Sequence, residues 1–195
     1  MPNSATRPPL FQATVDPATL KLRNSALAAK RALERIPTEN LAHLLEIARL
    51  VTDARMAFVN VVDESTVSTL VGAGAASGQQ HAVGDTFCSH VVDAPNQSLN
   101  VLDARVDPRF ANLPVVAGEE KIRFYAGTAI LSPDGVPIGT LCVMDTVERK
   151  EFPETTAQGL VTLAAAVTAR LELRQQIDAL EEERRKFNAF MDHGP

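Results

Sequence analysis

Cysteine is scarce in this chain, with only two among 195 residues, and tryptophan is absent. A disulfide-dense scaffold needs several cysteine pairs, so we interpret Cys88 and Cys142 as buried thiols of a protein from a reducing compartment. No cluster of cysteine and histidine residues has the spacing of metal ligands. The composition therefore excludes a disulfide scaffold, predicts no metal site and leaves any cofactor unknown.

Long apolar runs and an excess of positive charge are also missing. No run approaches the roughly 20 residues that span a bilayer, and the proline-containing residues 1–12 lack the apolar core of a signal peptide. The 19 basic and 24 acidic residues give a net charge of -5, and the densest basic cluster, 184–186, directly follows three glutamates. We therefore expect a cytoplasmic protein with no membrane insertion and no nucleic-acid partner.

Sequence motifs of catalysis are missing too. The chain contains no glycine-rich phosphate loop, no GxSxG and no HExxH, and no nucleophile is paired with a base. We therefore expect that the chain is not itself an enzyme, although it is compatible with the sensory part of a larger signalling enzyme.

What the chain does have is the 45% hydrophobic content of a globular core, arranged in helical and strand periods. Residues 1–18 predict a disordered tail, and 19–37 predict a linker helix with apolar residues at heptad spacing. Thr38 is placed to cap a second helix that runs to Thr52. Strands are predicted over 56–63, 67–71, 99–102, 124–131 and 138–145, with short helices or turns at 88–93 and 107–110.

The C-terminal part of the chain gives two further predictions. Residues 132–135 (Ser-Pro-Asp-Gly) have the composition of a tight turn, so the last two strands are predicted to form an antiparallel hairpin. The pattern is helical from Glu154 to Asp192, and its second half repeats apolar residues at heptad spacing, with Arg184 at one seam position. The order of elements predicts an α+β fold: a central antiparallel sheet with helices on one face and short helices or loops on the other.

Five motifs in order carry a resemblance to a known family. They are Phe87–His90 (FCSH), Val101–Ala104 (VLDA), Asp107–Phe110 (DPRF), Arg123–Gly127 (RFYAG) and Gly135–Asp145 (GVPIGTLCVMD). Residues 38–172 resemble the GAF domain of bacterial sensor kinases and cyclic-dinucleotide signalling proteins. The resemblance implies a ligand pocket between the sheet and the short elements on its outer face, and it does not identify the ligand.

Strand alternation and motif position give the candidate site residues. Asn60 is a polar residue in an apolar strand and needs a partner, which is a ligand, a backbone group or water. Phe124 and Thr128 share a face of one later strand, and Thr140 and Cys142 share a face of the next. The candidate ligand-binding residues are Phe58, Asn60, Phe87, Cys88, His90, Arg109, Phe110, Phe124, Thr128, Thr140 and Cys142.

Two of the motifs leave alternatives open. Cys88 lies near a predicted helix start, where a thiolate is stabilised, so it is a redox or attachment cysteine or else a buried thiol. Bilin-binding GAF domains commonly have histidine directly after the attaching cysteine, whereas Ser89 intervenes here, and the cysteine pattern of GAF-type methionine sulfoxide reductases is not reproduced. Arg109 and Arg123 either bind an anionic ligand or pair with nearby aspartates and loop backbone.

The resemblance and the heptad spacing together predict a sensory module. A small ligand of unknown identity changes the pocket, and a homodimer formed through the terminal helices relays the change to an output domain of the histidine kinase or diguanylate cyclase type. Residues 173–195 form the C-terminal coiled-coil signalling helix in this prediction, and their ending, Phe187–Pro195, resembles the start of a PAS domain. The alternative is a dimerisation and interaction scaffold that binds no ligand.

Overall fold

Within residues 17–94 and 98–192, which the computed structural model describes, six strands form one antiparallel sheet. The strands are β1 (Met56–Val62), β2 (Thr66–Ala73), β3 (Gln80–Ala82), β4 (Ser98–Val101), β5 (Phe124–Leu131) and β6 (Pro137–Asp145). They lie in the order β3-β2-β1-β6-β5-β4, and every neighbouring pair is antiparallel. The predicted α+β class is confirmed.

Helices cover both faces of this sheet. They are α1 (Pro17–Glu34), α2 (Thr38–Thr52), α3 (Cys88–Val92), α4 (Pro114–Ala117) and α5 (Glu154–Asp192). The three long helices, α1, α2 and α5, pack on one face. The short helices α3 and α4 and their connecting loops cover the other face, as the sequence predicts.

Turn residues fix the predicted hairpin between β5 and β6. The amide of Gly135 donates to the carbonyl of Ser132 at 2.9 Å, and the amide of Ser132 donates to the carbonyl of Val136 at 2.8 Å. Gly135 has φ +77°, a conformation that glycine adopts without a steric penalty. The turn therefore brings β5 and β6 together as neighbours in the sheet.

The core under the long helices, which we call the helix-side core, is close-packed and mainly aliphatic. Its buried members come from α1, α2, α5 and strands β1, β2, β5 and β6, and include Leu33, Leu45, Val59, Leu141 and Leu171. On α5 the buried residues follow a helical period because one stripe of that helix faces the sheet. Each such side chain stabilises the fold by about 1.5–3 kcal/mol through removal from water.

The core on the other face, which we call the cavity-side core, has a different composition. It combines the aromatic residues Phe87, Phe110 and Tyr125 with both cysteines. The ring of Phe87 stacks on that of Tyr125 at 4.5 Å between centroids and contacts Phe110 at 4.7 Å. These three rings form one aromatic cluster within the cavity-side core.

The structure differs from the sequence predictions at three places. Thr38 is the first residue of α2 rather than its cap, and Pro37 occupies the cap position without a side-chain hydrogen bond. The edge strand β3 and the helix α4 were not predicted, because three or four residues are too few to show a period. Residues 107–110 form a turn, one of the two predicted options. Helix α1 begins at Pro17, and the rest of the predicted tail lies outside the described residues.

Two apolar stripes at heptad spacing have different environments. In α1 and the turn after it, Ala29, Leu33 and Ile36 are buried in the helix-side core. In the second half of α5 the heptad residues are exposed; these are Leu173, Ile177, Leu180, Phe187 and Met191. The later part of the first stripe is therefore buried inside the domain, whereas the second stripe faces solvent. The PAS-like ending continues past the described residues at its last three positions.

Candidate functional site

A cavity of about 560 Å³ lies on the face of the sheet opposite the long helices. Strands β1, β2 and β6 form its floor, and residues 85–88 together with the segment after α4 form its walls. The apolar lining consists of Met56, Phe58, Val67, Phe87, Val115, Ile122 and Met144. Exposed residues at 75–76 and 79 border its mouth, so the cavity is open to solvent.

Polar and charged groups line the same cavity. The basic residues Arg49 and Arg55 and the acidic residues Asp85 and Glu120 all belong to its lining. Two of them are held in place: Arg49 donates to the Glu46 carboxylate at 3.1 and 3.2 Å, and Arg55 donates to the Thr146 hydroxyl at 3.1 Å. Equal numbers of opposite formal charges suit a small ligand with an apolar body and little net charge.

Asn60 lies at the centre of the cavity floor and connects three strands. Its Oδ1 accepts a hydrogen bond from Thr69 Oγ1 on β2 at 2.8 Å, and its Nδ2 donates to Thr140 Oγ1 on β6 at 3.3 Å. The same nitrogen lies 3.5 Å from the sulfurs of both Cys88 and Cys142. The partner that the sequence required for Asn60 is thus a set of side chains, because β1 lies between β2 and β6.

The two cysteines meet beside Asn60. Thr140 Oγ1 donates to Cys88 Sγ at 3.3 Å, and the Tyr125 hydroxyl lies 3.8 Å from the same sulfur. Tyr125 reaches this point because Gly127 has no side chain: a Cβ there would be 2.4 Å from the phenol oxygen. Both thiols are free and buried, as interpreted from the sequence.

Hydrogen bonds and burial give the two thiols different pKa values. The Cys142 thiol, and with smaller effects Thr140, Tyr125 and Asn60, together lower the pKa of Cys88 to about 7 against the opposing effect of burial. The hydrogen bond with Cys88 and burial raise the pKa of Cys142 well above its usual value. Burial, followed by the charge on Cys88, raises the pKa of Tyr125 in the same way. Cys88 is therefore the more acidic thiol of the pair.

The structure brings most of the candidate residues together. Phe58, Asn60, Phe87 and Cys88 line the cavity. Thr140 and Cys142 contact Asn60 from the adjacent strand, and Phe110 packs behind Phe87. Cross-strand register explains the cluster, since Phe58 is opposite Cys142 and Asn60 is opposite Thr140, and directly opposed residues point to the same face.

Phe124 and Thr128 lie away from the cavity. Phe124 is in the helix-side core, where its ring is 5.2 Å from that of Phe152. Thr128 accepts a hydrogen bond from Ser98 on β4 at 3.1 Å. The alternation along β5 was predicted correctly, but its phase was assigned to the wrong face, and Tyr125 belongs to the cavity-side core instead.

His90 and Arg109 also lie outside the cavity lining. The His90 ring contacts the edge of Phe110 at 4.8 Å between centroids. Arg109 forms a local pair with Asp107, whose Oδ2 accepts from Arg109 Nη2 at 2.7 Å, and its guanidinium lies 4.7 Å from the Phe110 ring. Arg123 donates to the carbonyls of Val116 and Ile122. The arginines thus adopt the structural alternative, pairing with a nearby aspartate and with loop backbone.

Sequence reasoning missed several residues of the cavity. Arg49 at the end of α2, Arg55 before β1 and Glu120 after α4 all line it. None lies in a motif, and only the packing of α2 and the α4 segment beside the sheet brings them together. Within the described ranges, no helix is long and apolar enough to cross a membrane. The same ranges contain no group of three or more histidine, cysteine or acidic residues able to hold a metal ion.

Comparisons with known proteins agree with this architecture. Residues 37–171 match the family model of the GAF domain. A cyclic di-GMP phosphodiesterase of Pseudomonas aeruginosa is 34% identical over 104 residues, which are 53% of this chain and 18% of that protein. The chain thus spans less than a fifth of this relative.

Two solved structures are similar in fold. The GAF domain of a phosphoenolpyruvate-protein phosphotransferase from Acinetobacter has a TM-score of 0.60 and 16% identity, over 80% of this chain and 96% of that one. The free methionine-R-sulfoxide reductase of Neisseria meningitidis, solved with its substrate, has a TM-score of 0.59 and 20% identity, over 86% and 96% of the two chains. At these identities the similarity is evidence for the fold alone.

Proposed function

The chain belongs to the GAF domain family, and we propose that it is a cytoplasmic regulatory module that binds a small ligand in the cavity and relays the signal through dimeric helices to an output domain. The observation that carries this proposal is the division of the sheet between an open cavity on one face and three long helices on the other. The relative that degrades cyclic di-GMP supports an output domain of the cyclic-dinucleotide type, with a histidine kinase as the other option.

The relay runs through strands shared by both faces. On β6, Cys142 contacts Asn60 of the cavity floor, and its neighbour Leu141 is buried in the helix-side core. Helix α2 adds a second link, because Arg49 at its end lines the cavity while Leu45 packs in the helix-side core. A ligand that shifts the floor or Arg49 thereby shifts the surface on which α5 rests.

The exposed heptad stripe of α5 supports pairing with a second copy. Leu180 is 66% exposed and Phe187 62% exposed, and burying such residues against an identical helix is the usual driving force of a coiled coil. Arg184 occupies one seam position, which weakens the pairing without changing its register.

Native mass spectrometry of the freshly purified full chain tests both parts of the proposal. We expect a dimer that carries an additional small-molecule mass. The Leu180→Asp variant places a charge in the seam and is expected to be monomeric, whereas Ala179→Asp, an exposed position next to it off the seam, stays dimeric. A monomeric unmodified chain at high micromolar concentration contradicts the relay.

The ligand is tested by filling the cavity. Val115→Trp adds volume to a residue of the lining and is expected to abolish the extra mass. Val106→Trp, at a position 78% exposed and absent from the lining, serves as the matched control and retains it. Equal ligand content in the two variants contradicts binding in this cavity.

One observation favours the alternative function of a ligand-free dimerisation scaffold. The amide of Asn60, the most central polar group of the floor, already has partners on β2, β6 and α3, so it needs no ligand. A dimer without additional mass in the same native spectrum, unchanged by Val115→Trp, supports the scaffold.

A further inference from the structure

Two cysteines far apart in the sequence meet at the boundary between the cavity and the sheet. A single nitrogen, Asn60 Nδ2, lies 3.5 Å from each sulfur, and Cys142 is the neighbour that lowers the pKa of Cys88 most. Cys88 begins α3, which packs directly on β6, the strand of Cys142. We propose that Cys88 and Cys142 form a peroxide-sensitive dithiol, in which Cys88 is oxidised first and Cys142 closes a disulfide with it.

The order of the two steps follows from access. Cys88 lines the cavity, whereas Cys142 is fully buried and is not part of the lining. Hydrogen peroxide is small and uncharged, so it reaches the Cys88 sulfur through the cavity mouth without unfolding the domain. Cys142 is reached only from Cys88, which makes it the resolving thiol.

The surroundings of Cys88 favour its reactive form. Hydroxyl, amide and thiol groups of Thr140, Asn60, Tyr125 and Cys142 converge on its sulfur, and such donors stabilise a thiolate. The hydrogen bonds hold the pKa of Cys88 at about 7. Among the described residues, the titratable groups that face it are Cys142 and Tyr125, and the charged or titratable members of the cavity lining are Arg49, Arg55, His81, Asp85 and Glu120.

The chemistry balances with peroxide as the oxidant. The Cys88 thiolate attacks one peroxide oxygen, the S–O bond forms, the O–O bond breaks and hydroxide leaves, taking a proton to become water. The Cys142 sulfur then attacks the sulfenic sulfur of Cys88, an S–S bond forms, the S–O bond breaks and a second water leaves with the Cys142 proton. Two thiols and one peroxide give one disulfide and two waters.

The disulfide joins the cover of the cavity to its floor. Helix α3 supplies Cys88 to the wall, Phe87 lies in the wall directly before this helix, and β6 is a central strand of the sheet. Oxidation fixes these two elements to each other and removes the thiolate from the cavity wall. This consequence holds whether or not the cavity also binds a ligand.

Peptide mapping of the full chain tests the proposal. The folded protein is treated with hydrogen peroxide, quenched, unfolded and alkylated, then digested without reductant. We expect a crosslinked peptide pair containing Cys88 and Cys142, and a thiol reductant should restore both alkylation sites. Complete alkylation of both cysteines after peroxide treatment, or crosslinks only between chains, overturns the proposal.

Two matched variants separate the roles of the thiols. Cys142→Ser should accumulate a sulfenic acid on Cys88, captured by dimedone, because no resolving thiol remains. In Cys88→Ser, peroxide should oxidise Cys142 at least about tenfold more slowly than it oxidises Cys88 in the wild type. Equal oxidation rates in the two variants overturn the assigned order.

The wild type provides a readout that does not depend on the folding of the variants. The rate at which peroxide consumes the first thiol should rise with pH through about 7, since only the thiolate attacks and its fraction grows as Cys88 loses its proton. A rate that stays flat until pH values typical of an ordinary cysteine contradicts the proposal.

Discussion

The two faces of the sheet are built from the same strands but with different chemistry. The helix-side core is aliphatic apart from Phe124 and the partly buried Phe152. The cavity-side core holds stacked aromatic rings and both thiols, beside the buried amide of Asn60 and an open cavity. A close-packed aliphatic layer resists any change of volume, whereas a layer with polar groups and empty space can accept a molecule. The comparison indicates that the helix-side core contributes most of the stability, whereas the groups suited to binding or reaction lie on the cavity side.

Strand β6 shows the division at the level of single residues. Leu141 is buried in the helix-side core, while its neighbours Thr140 and Cys142 contact Asn60 and the Cys88 thiol. Adjacent positions on a strand point to opposite faces, so one residue step separates a packing role from a chemical role. The predictions below use this contrast.

The largest effect is expected on the helix side. Leu141→Ala should lower the free energy of unfolding by about 3 kcal/mol, because it leaves a cavity in a fully buried, aliphatic environment. Urea denaturation followed by circular dichroism measures the change. A loss below about 1 kcal/mol contradicts the assignment of stability to this face.

A smaller effect is expected from crowding the cavity side. Gly127→Ala places a Cβ 2.4 Å from the Tyr125 hydroxyl, so the ring has to move, at a cost of about 2 kcal/mol. Tyr125 is the single tyrosine and the chain lacks tryptophan, so tyrosine fluorescence reports on this ring alone. Gly84→Ala, where an added Cβ meets nothing within 4 Å, is the control. An unchanged emission in Gly127→Ala contradicts the placement of the ring.

Removing the Asn60 amide should change the pKa of the Cys88 thiol more than it changes the stability of the fold. Asn60→Ala deletes a donor to Cys88 and is expected to raise the pKa of that thiol, with an unfolding cost of about 1–2 kcal/mol because the open cavity admits water to the remaining polar groups. The pH dependence of iodoacetamide alkylation measures the pKa. Thr69→Val removes only the hydrogen bond from β2 and should leave the thiol unchanged; an equal shift in both variants contradicts this role of Asn60.

The smallest effect is expected outside both cores. Arg109→Ala removes an exposed pair with Asp107 and a contact with the Phe110 ring, and should cost about 0.5 kcal/mol, since exposed ion pairs contribute little. The ligand content in native mass spectra should match the wild type, because Arg109 does not line the cavity. Loss of the bound mass identifies Arg109 as a ligand contact and contradicts the division described above.

Several residues of the candidate site were predictable because a local sequence pattern or motif contains them. The alternation around Asn60 and the FCSH motif placed Phe58, Asn60, Phe87 and Cys88 in the pocket, and the structure lines the cavity with all four. Phe124 was assigned to the wrong face because alternation gives two sets of residues on β5 without saying which set faces the helices. Arg49 and Glu120 carried no signal, since they come from elements that meet only in the folded chain.

The sequence by itself determined the order of the elements apart from β3 and α4, the β5–β6 hairpin, the extent of α5 and the family. These depend on local periodicity, turn residues and short motifs, which are properties of neighbouring positions. Only the tertiary structure decided which face of β5 joins the cavity-side core and that Arg49 borders the cavity. It also brought Cys88 and Cys142 to one amide nitrogen. The physical reason is that cross-strand register and helix packing depend on contacts between distant parts of the chain, and no local pattern encodes them.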